Sequence, residues 1–155
     1  MQTKTAPRYS GKDASKVKLG IVVSQYYWNE LTSPMLEGAK EIFAQANVKE
    51  KNITIVPVSG SWEIPYGCVA LLKKKKVDVI LTLGVVIKGE TAHDHHLTAS
   101  VMQGLMDLTL ERKVPIALGV VSANNLDQAV VRATGTNNKG RGAAIAALEM
   151  ALLKI

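Results

Sequence analysis

Apolar residues alternate along the chain between short continuous runs and longer stretches in which they recur every three or four positions. The short runs predict buried strands at residues 17–23, 53–58, 77–83 and 115–121. The longer stretches predict helices at about 33–46, 64–75, 94–112, 126–133 and about 141–153. Alternating strands and helices of this length predict an α/β fold, with a parallel sheet covered on both faces by helices in right-handed crossovers.

The loops that follow the four predicted strands carry most of the candidate chemistry. In a parallel sheet these loops all lie at the carboxyl end of the strands, where open α/β sheets bind their ligands. Aromatic and hydrogen-bonding groups together suit a flat heterocycle with a polar tail, and the glycine-containing backbone just before the 94–112 helix suits a phosphate. The candidate side chains in these loops are Tyr26, Tyr27, Trp28, Trp62, Glu63, Lys88, Glu90, Thr91 and His93.

Several common cofactor and enzyme motifs are missing from the sequence. There is no Gly-x-x-x-x-Gly-Lys-Ser/Thr run, and no Gly-x-Gly-x-x-Gly follows the first predicted strand. Nucleoside triphosphates and dinucleotide cofactors are therefore disfavoured. A Gly-x-Ser-x-Gly elbow is also missing, which disfavours a serine hydrolase.

The three histidines are grouped at His93, His95 and His96. On a helix, positions 93 and 96 share a face, whereas position 95 points elsewhere. No cysteine or well-spaced carboxylate completes a ligand set, so we expect no metal here. A histidine near a helix start is better suited to carrying protons close to neutral pH.

Length and charge set the broader limits. The 155 residues are enough for one domain with its own core, and we expect a polar arm at 1–16 and a single domain at 17–155. Much of the net charge of +6 comes from the lysines at 73–76. These lysines end a predicted helix, where cations offset the macrodipole, so we expect no nucleic-acid partner.

The remaining composition points to a soluble cytoplasmic protein. The single cysteine, Cys68, lies in an apolar helical run and is expected to be a small buried hydrophobe. No apolar run approaches the roughly 20 residues that span a bilayer, and the start of the chain lacks the apolar core of a signal peptide. We therefore expect no membrane association.

Three segments in one register resemble the lumazine synthase (6,7-dimethyl-8-ribityllumazine synthase) family. They are Gly-Val-Val-Ile-Lys-Gly-Glu-Thr-Ala-His at 84–93, Val-Ser-Gly-Ser-Trp-Glu-Ile-Pro at 58–65, and Arg132-Ala followed by Asn-Lys-Gly at 138–140. The resemblance covers 17–153. It implies a flavodoxin-like three-layer α/β/α sandwich with a four-stranded parallel sheet. It also implies an enzyme of the penultimate step of riboflavin biosynthesis, which joins 5-amino-6-(D-ribitylamino)uracil to 3,4-dihydroxy-2-butanone 4-phosphate without metal or organic cofactor.

The same resemblance assigns roles to particular residues. His93 matches the catalytic proton-transfer histidine. The next three residues, Asp94, His95 and His96, depart from the family pattern, in which many members have an aromatic residue and then an acid; Asp94 could orient the His93 imidazole, and His95 and His96 receive no role. The positions that match the butanone phosphate site are Gly89, Glu90, Thr91, Arg132 and Lys139. Those that match the ribitylaminouracil site are Trp28, Ser61, Trp62, Glu63, Val85, Val86, Ile87 and Leu118. Because the first loop is about one residue longer than usual in the family, Tyr26 and Tyr27 are alternatives to Trp28 as the ring that stacks on the uracil.

Assembly is also implied by the resemblance. Family members form pentamers with active sites between neighbouring subunits, and some pack twelve pentamers into an icosahedral shell. The short break at 134–138 has no insertion that would block shell closure, which favours the shell. Two alternatives remain: an archaeal-type riboflavin synthase, and a non-catalytic shell or ligand-binding protein of the same fold.

Overall fold

The computed structural model describes residues 12–153 and contains a four-stranded sheet in which all neighbouring strands are parallel. The strands are β1 (Leu19–Ser24), β2 (Ile53–Val58), β3 (Val79–Ile87) and β4 (Ile116–Ala123), and their order in the sheet is β2-β1-β3-β4. The helices are α1 (Ser33–Gln45), α2 (Ile64–Lys74), α3 (His93–Arg112), α4 (Leu126–Ala133) and α5 (Lys139–Ala151). The predicted element order and parallel sheet are confirmed.

Two apolar cores cover the two faces of the sheet. Ile21 and Leu81 belong to the core shared with α1, α4 and α5, whereas the adjacent Val22 and Ile80 belong to the core shared with α2 and α3. Successive strand residues point to opposite faces, so strands buried on both sides must be apolar throughout. The result is a three-layer α/β/α sandwich of the flavodoxin-like type. Within residues 12–153, no helix is long and apolar enough to cross a membrane.

Strand β3 continues four residues beyond the predicted end. Its register with β1 stops at the Val23–Leu83 pair, but its pairing with β4 continues to Ile87–Ala123. Gly84, the residue after the predicted strand, lies inside the observed one. A Cβ there would be 2.7 Å from Ser61 Oγ, so this glycine marks close packing against the next layer rather than a turn.

Helix α5 begins at Lys139, about two residues earlier than predicted. The buried Asn138 fixes this start: its side-chain oxygen accepts a hydrogen bond from the Gly140 N–H at 2.8 Å, and its Nδ2 donates to the Pro34 carbonyl at 2.9 Å. A side chain at position 140 would overlap the Met35 carbonyl oxygen. The start of α5 is therefore held tightly against the start of α1.

The two edge strands of the sheet differ from each other. Strand β2 exposes Ile55 and Pro57, so one residue of this edge lacks a backbone N–H. Strand β4 exposes Leu118 and Ser122 on an otherwise buried strand. The edge of the sheet that β4 forms therefore offers accessible surface beside Leu118 and Ser122.

Most of the predicted polar arm, residues 1–11, lies outside the described residues. Its last part is described from residue 12 onward, and there Ala14 is buried. The Ala14 N–H donates to the Ala46 carbonyl at 2.9 Å. The chain is therefore tied to the end of α1 before β1 begins.

Candidate active site

The strand order changes direction between β1 and β3, so a ligand crevice is expected there at the carboxyl end of the sheet. Strand β1 leads into α1 on one face of the sheet, and β3 leads into α3 on the other. The loops after these two strands therefore diverge and leave space between them. This is the position at which open α/β sheets bind their ligands.

The end of β3 supplies one wall of the crevice. Residues 85–87 extend past the last residue that pairs with β1, so their backbone groups on that side have no strand partner in the sheet. Val85 is buried, whereas Val86 and Ile87 are half-buried. Unpaired N–H and C=O groups in a mostly apolar setting suit a flat ring that carries its own donors and acceptors.

The aromatic loop after β1 supplies a second wall. The loop is anchored to β2 by a hydrogen bond from the Gln25 N–H to the Val58 carbonyl at 2.8 Å. Tyr27 has a left-handed backbone with φ of 57°, and it and Trp28 are half-buried against the core. Tyr26 is 61% exposed, and its ring contacts Tyr27 edge-on at 4.7 Å. Of the three rings, Tyr26 therefore faces solvent, whereas Tyr27 and Trp28 pack against the core.

The turn after β2 brings three predicted residues to the same end of the sheet. Ser61, Trp62 and Glu63 form a single 3₁₀ turn that leads into α2. Trp62 is 59% exposed, which is unusual for so large an apolar ring. Ser61 Oγ is buried without a hydrogen-bond partner in the described part of the chain. An exposed indole ring and an unpartnered hydroxyl are both groups that can bind a ligand at this end of the sheet.

The start of α3 carries the predicted phosphate loop and the predicted catalytic histidine. Gly89, Glu90 and Thr91 are exposed between β3 and the helix, and His93 is its first residue. The His93 N–H donates to Thr91 Oγ1 at 3.3 Å. Free N–H groups of the first helical turn and the positive end of the dipole face this loop. It can accept an anion beside an exposed imidazole.

The other two histidines of this segment do not belong to a set of possible metal ligands within residues 12–153. The rings of His95 and His96 contact each other edge-on at 5.7 Å, and both side chains are exposed. Within residues 12–153, the structure gathers no group of three His, Cys, Asp or Glu side chains that could hold a metal ion. Asp94 is half-buried, and no contact with the His93 ring is found.

The remaining predicted residues lie in a separate pocket of about 440 Å³ beside β4, termed here the edge pocket. Leu118, Arg132 and Lys139 all line it, and none of the loop residues described above does. Arg132 is half-buried, and its Nη1 donates to the Gln128 carbonyl of its own helix at 3.0 Å. Two cations without a lining carboxylate make the edge pocket suitable for an anion.

Sequence reasoning missed the parts that shape the edge pocket. Gly142, Ala143 and Ala146 of α5 line it and leave the space that larger side chains would fill. Asn138 holds the adjacent Lys139 in place through its bonds to α1 and α5. The small residues spaced along one face of the last helix are the feature of the sequence that indicates this pocket. Alanine-rich helices are common, however, so the feature alone does not predict a pocket.

The fold and the two groups of residues define a class: a flavodoxin-like α/β protein with a candidate ligand site at the strand-order reversal and a separate cationic pocket. Comparisons with known proteins show the family. The model of the 6,7-dimethyl-8-ribityllumazine synthase family matches residues 16–154. The chain belongs to that family.

Individual relatives extend over nearly the same length. The 6,7-dimethyl-8-ribityllumazine synthase of Aquifex aeolicus is 40% identical over 147 residues, which cover 94% of this chain and 95% of the relative. The enzyme of the same name from Buchnera aphidicola subsp. Baizongia pistaciae is 38% identical over 138 residues, covering 88% and 86%. That of Phocaeicola vulgatus is 37% identical over 139 residues, covering 89% and 82%.

Proposed function

We propose that the chain condenses 5-amino-6-(D-ribitylamino)uracil with 3,4-dihydroxy-2-butanone 4-phosphate to give 6,7-dimethyl-8-ribityllumazine, phosphate and water. This is a transferase reaction of riboflavin biosynthesis, and it needs no cofactor. The observation that carries the assignment to particular residues is the edge pocket, where Arg132 and Lys139 meet without an acidic neighbour. Cytoplasmic location belongs to the same proposal and is supported by the buried, unpaired Cys68.

The ribitylaminouracil binds in the crevice. The unpaired backbone of Val85, Val86 and Ile87 hydrogen-bonds the ring edge, and Trp28 stacks on the ring face, with Tyr26 and Tyr27 as the alternatives. The turn Ser61–Glu63 contributes the buried Ser61 hydroxyl, which lacks a partner within the described chain, together with the exposed Trp62 and Glu63. A ring that carries both donors and acceptors fits such a lining.

The butanone phosphate binds between the start of α3 and the edge pocket. The Gly89, Glu90 and Thr91 backbone offers N–H groups at a helix N-terminus, and Arg132 and Lys139 offer charge-assisted hydrogen bonds. Leu118 of the edge pocket lies against the uracil. Because none of the loop residues lines the edge pocket, the complete site requires the loops of one chain and the edge pocket of a neighbour.

The functional unit is therefore a homo-oligomer. A contact between two different surfaces gives a ring when its rotation closes, and we assign this assembly as a closed ring of five chains, a pentamer. The break between α4 and α5 consists of a single 3₁₀ turn, Gly135–Asn137, and has no insertion. This compactness supports the further packing of pentamers into an icosahedral shell.

The chemistry then follows from proton transfers. The 5-amino nitrogen attacks the butanone carbonyl, and water leaves to form an imine. Loss of a proton and of phosphate gives an enol, which tautomerises to a carbonyl; the ribitylamino nitrogen attacks it and a second water leaves. His93 carries protons in these steps, while Arg132 and Lys139 offset the charge on the departing phosphate. Holding the two substrates together supplies several kcal/mol more.

The test is to mix both substrates with the purified protein and to follow lumazine fluorescence. Product above the uncatalysed rate is expected, and its loss is expected in His93→Ala. A rate equal to the uncatalysed one would overturn the enzyme assignment and leave a shell or ligand-binding protein. Product formed only from two lumazines would instead indicate an archaeal-type riboflavin synthase.

Arg132→Ala tests the phosphate assignment separately. A hydrogen bond to a charged group contributes about 1.5–3 kcal/mol, so the KM for the butanone phosphate should rise roughly 10- to 100-fold. Arg141→Ala is the matched control, because Arg141 pairs with Glu41 and does not line the edge pocket. An unchanged KM in Arg132→Ala would make Arg132 a surface cation.

A further inference from the structure

The amino end of the sheet, opposite the candidate active site, carries a concentration of positive charge. Two adjoining pockets of about 420 and 270 Å³ share residues 74–77. No acidic side chain lines either pocket. We call this region the basic groove; the cationic side chains that line it are Lys18, Lys51, Lys73, Lys74, Lys75, Lys76 and Arg112.

The groove is a product of the fold rather than of one lysine run. Lys18 precedes β1, and Lys51 precedes β2. Lys73 and Lys74 end α2, and Lys75 and Lys76 lie between α2 and β3. Arg112 ends α3. Because all four strands are parallel, these segments meet at the amino end of the sheet. A ligand bound there would not compete with one at the carboxyl end.

This groove accounts for the net charge of the whole protein. The chain has 19 Lys and Arg residues against 13 Asp and Glu. Outside the groove, 12 cations face the 13 acids, so the remainder is almost neutral. All seven groove cations are exposed.

Helix ends and nearby acids offset only part of this charge. Helices α2 and α3 end at the groove, and together they contribute about one negative charge. Asp78 accepts a hydrogen bond from the Lys18 N–H at 2.7 Å, Glu111 pairs with Arg112 at 3.2 Å, and Glu50 is adjacent to Lys51. Subtracting all of these leaves an excess of about three positive charges. Capping of helix ends therefore does not explain the whole groove.

The lining decides which anion fits. Asn52 and Thr54 add neutral polar groups, and no aromatic side chain lines either pocket. Single-stranded nucleic acids gain much of their affinity from stacking on aromatic rings. Anionic membrane surfaces attract basic clusters, but binding gains further strength from buried apolar area, and the apolar lining here, Leu72, Val77 and Val114, is buried or half-buried. The groove suits phosphates without bases or acyl chains.

We propose that the basic groove binds a linear chain of phosphates, inorganic polyphosphate, through its phosphate oxygens. Cations on several segments contact successive phosphates, and each contact releases counterions from the chain. The affinity should fall steeply with salt, with a slope no larger than about −5 in a plot of log K against log salt concentration if all seven cations take part.

The experiment measures binding of fluorescently labelled polyphosphate to the full-length protein by anisotropy, at several salt concentrations. Lys75→Gln/Lys76→Gln should weaken binding roughly tenfold at low salt and leave lumazine formation unchanged. Lys40→Glu, on α1 and outside both pockets, makes the same change in net charge and should leave binding unchanged.

Three results would overturn the proposal. Equal losses in the groove variant and in Lys40→Glu would mean that only net charge matters. Tighter binding of single-stranded RNA or of anionic phospholipid vesicles than of polyphosphate would show that the groove binds that partner instead. Displacement of polyphosphate by the butanone phosphate would place it in the active site instead. None of these results depends on whether the chain turns over its proposed substrates.

Discussion

Subunit mixing tests whether the active site is shared between chains. His93→Ala removes the histidine beside the loops but leaves the edge pocket intact. Arg132→Ala removes a cation of the edge pocket but leaves the loops intact. If each site combines the loops of one chain with the edge pocket of the next, random co-assembly of equal amounts pairs two intact halves in about one quarter of the interfaces. Co-expression of the two impaired variants, assayed with the butanone phosphate below its wild-type KM, should therefore give about one quarter of the wild-type rate of lumazine formation.

A second mixture, of the wild type and the double variant, serves as the control. Wild type co-expressed with the double variant His93→Ala/Arg132→Ala should keep about one quarter of the activity if the site is shared, but about one half if each chain holds a whole site. Both mixtures are compared with the wild type at equal total protein, after native mass spectrometry has verified random assembly. No recovery in the first mixture, together with one half in the second, would refute the shared site.

Four further predictions concern the framework of the fold and of the site. Gly140→Ala should lower the free energy of unfolding by about 1–3 kcal/mol in urea titrations, because its Cβ would overlap the Met35 carbonyl. Gly142→Ala should raise that free energy by up to about 1 kcal/mol, since nothing lies within 4 Å of its added Cβ, and similar changes in both would contradict this reasoning. Asn138→Ala should cost about 1–2 kcal/mol and raise the KM for the butanone phosphate; a change in stability alone would separate Asn138 from the site. Burial raises the pKa of the Cys68 thiol to about 12, so a thiol reagent should label it at neutral pH only after unfolding, and rapid labelling of the native protein would show that the thiol is accessible.

The sequence predicted the framework of the fold because the apolar pattern was strong in each element. Ile53–Val58 and Leu126–Ala133 have the predicted bounds. Strand β3 ends later than the apolar pattern predicts, because Gly84 interrupts the run of apolar side chains but makes room for Ser61 inside the strand. Local sequence cannot distinguish a glycine that ends a strand from one that packs inside it, since the contact joins residues more than twenty positions apart.

The division of the candidate site could not be read from residue spacing. Val85 and Leu118 lie on neighbouring strands, yet the edge pocket opens beside β4 and contains none of the loop residues. That separation depends on β4 being an edge strand and on small α5 residues such as Gly142 facing it. The basic groove escaped notice for a similar reason: the run at 73–76 was visible, but its convergence with Lys18 requires the parallel sheet.

The exposed proline of β2 has a consequence for how the protein behaves when concentrated. A sheet edge with unpaired backbone groups and an exposed apolar residue such as Ile55 can pair with strands of other molecules and so start a fibril. Pro57 interrupts that edge, because it offers no N–H to an incoming strand. Local concentration is high wherever many copies are held together, so this one residue protects the chain from amyloid-like growth along the β2 side.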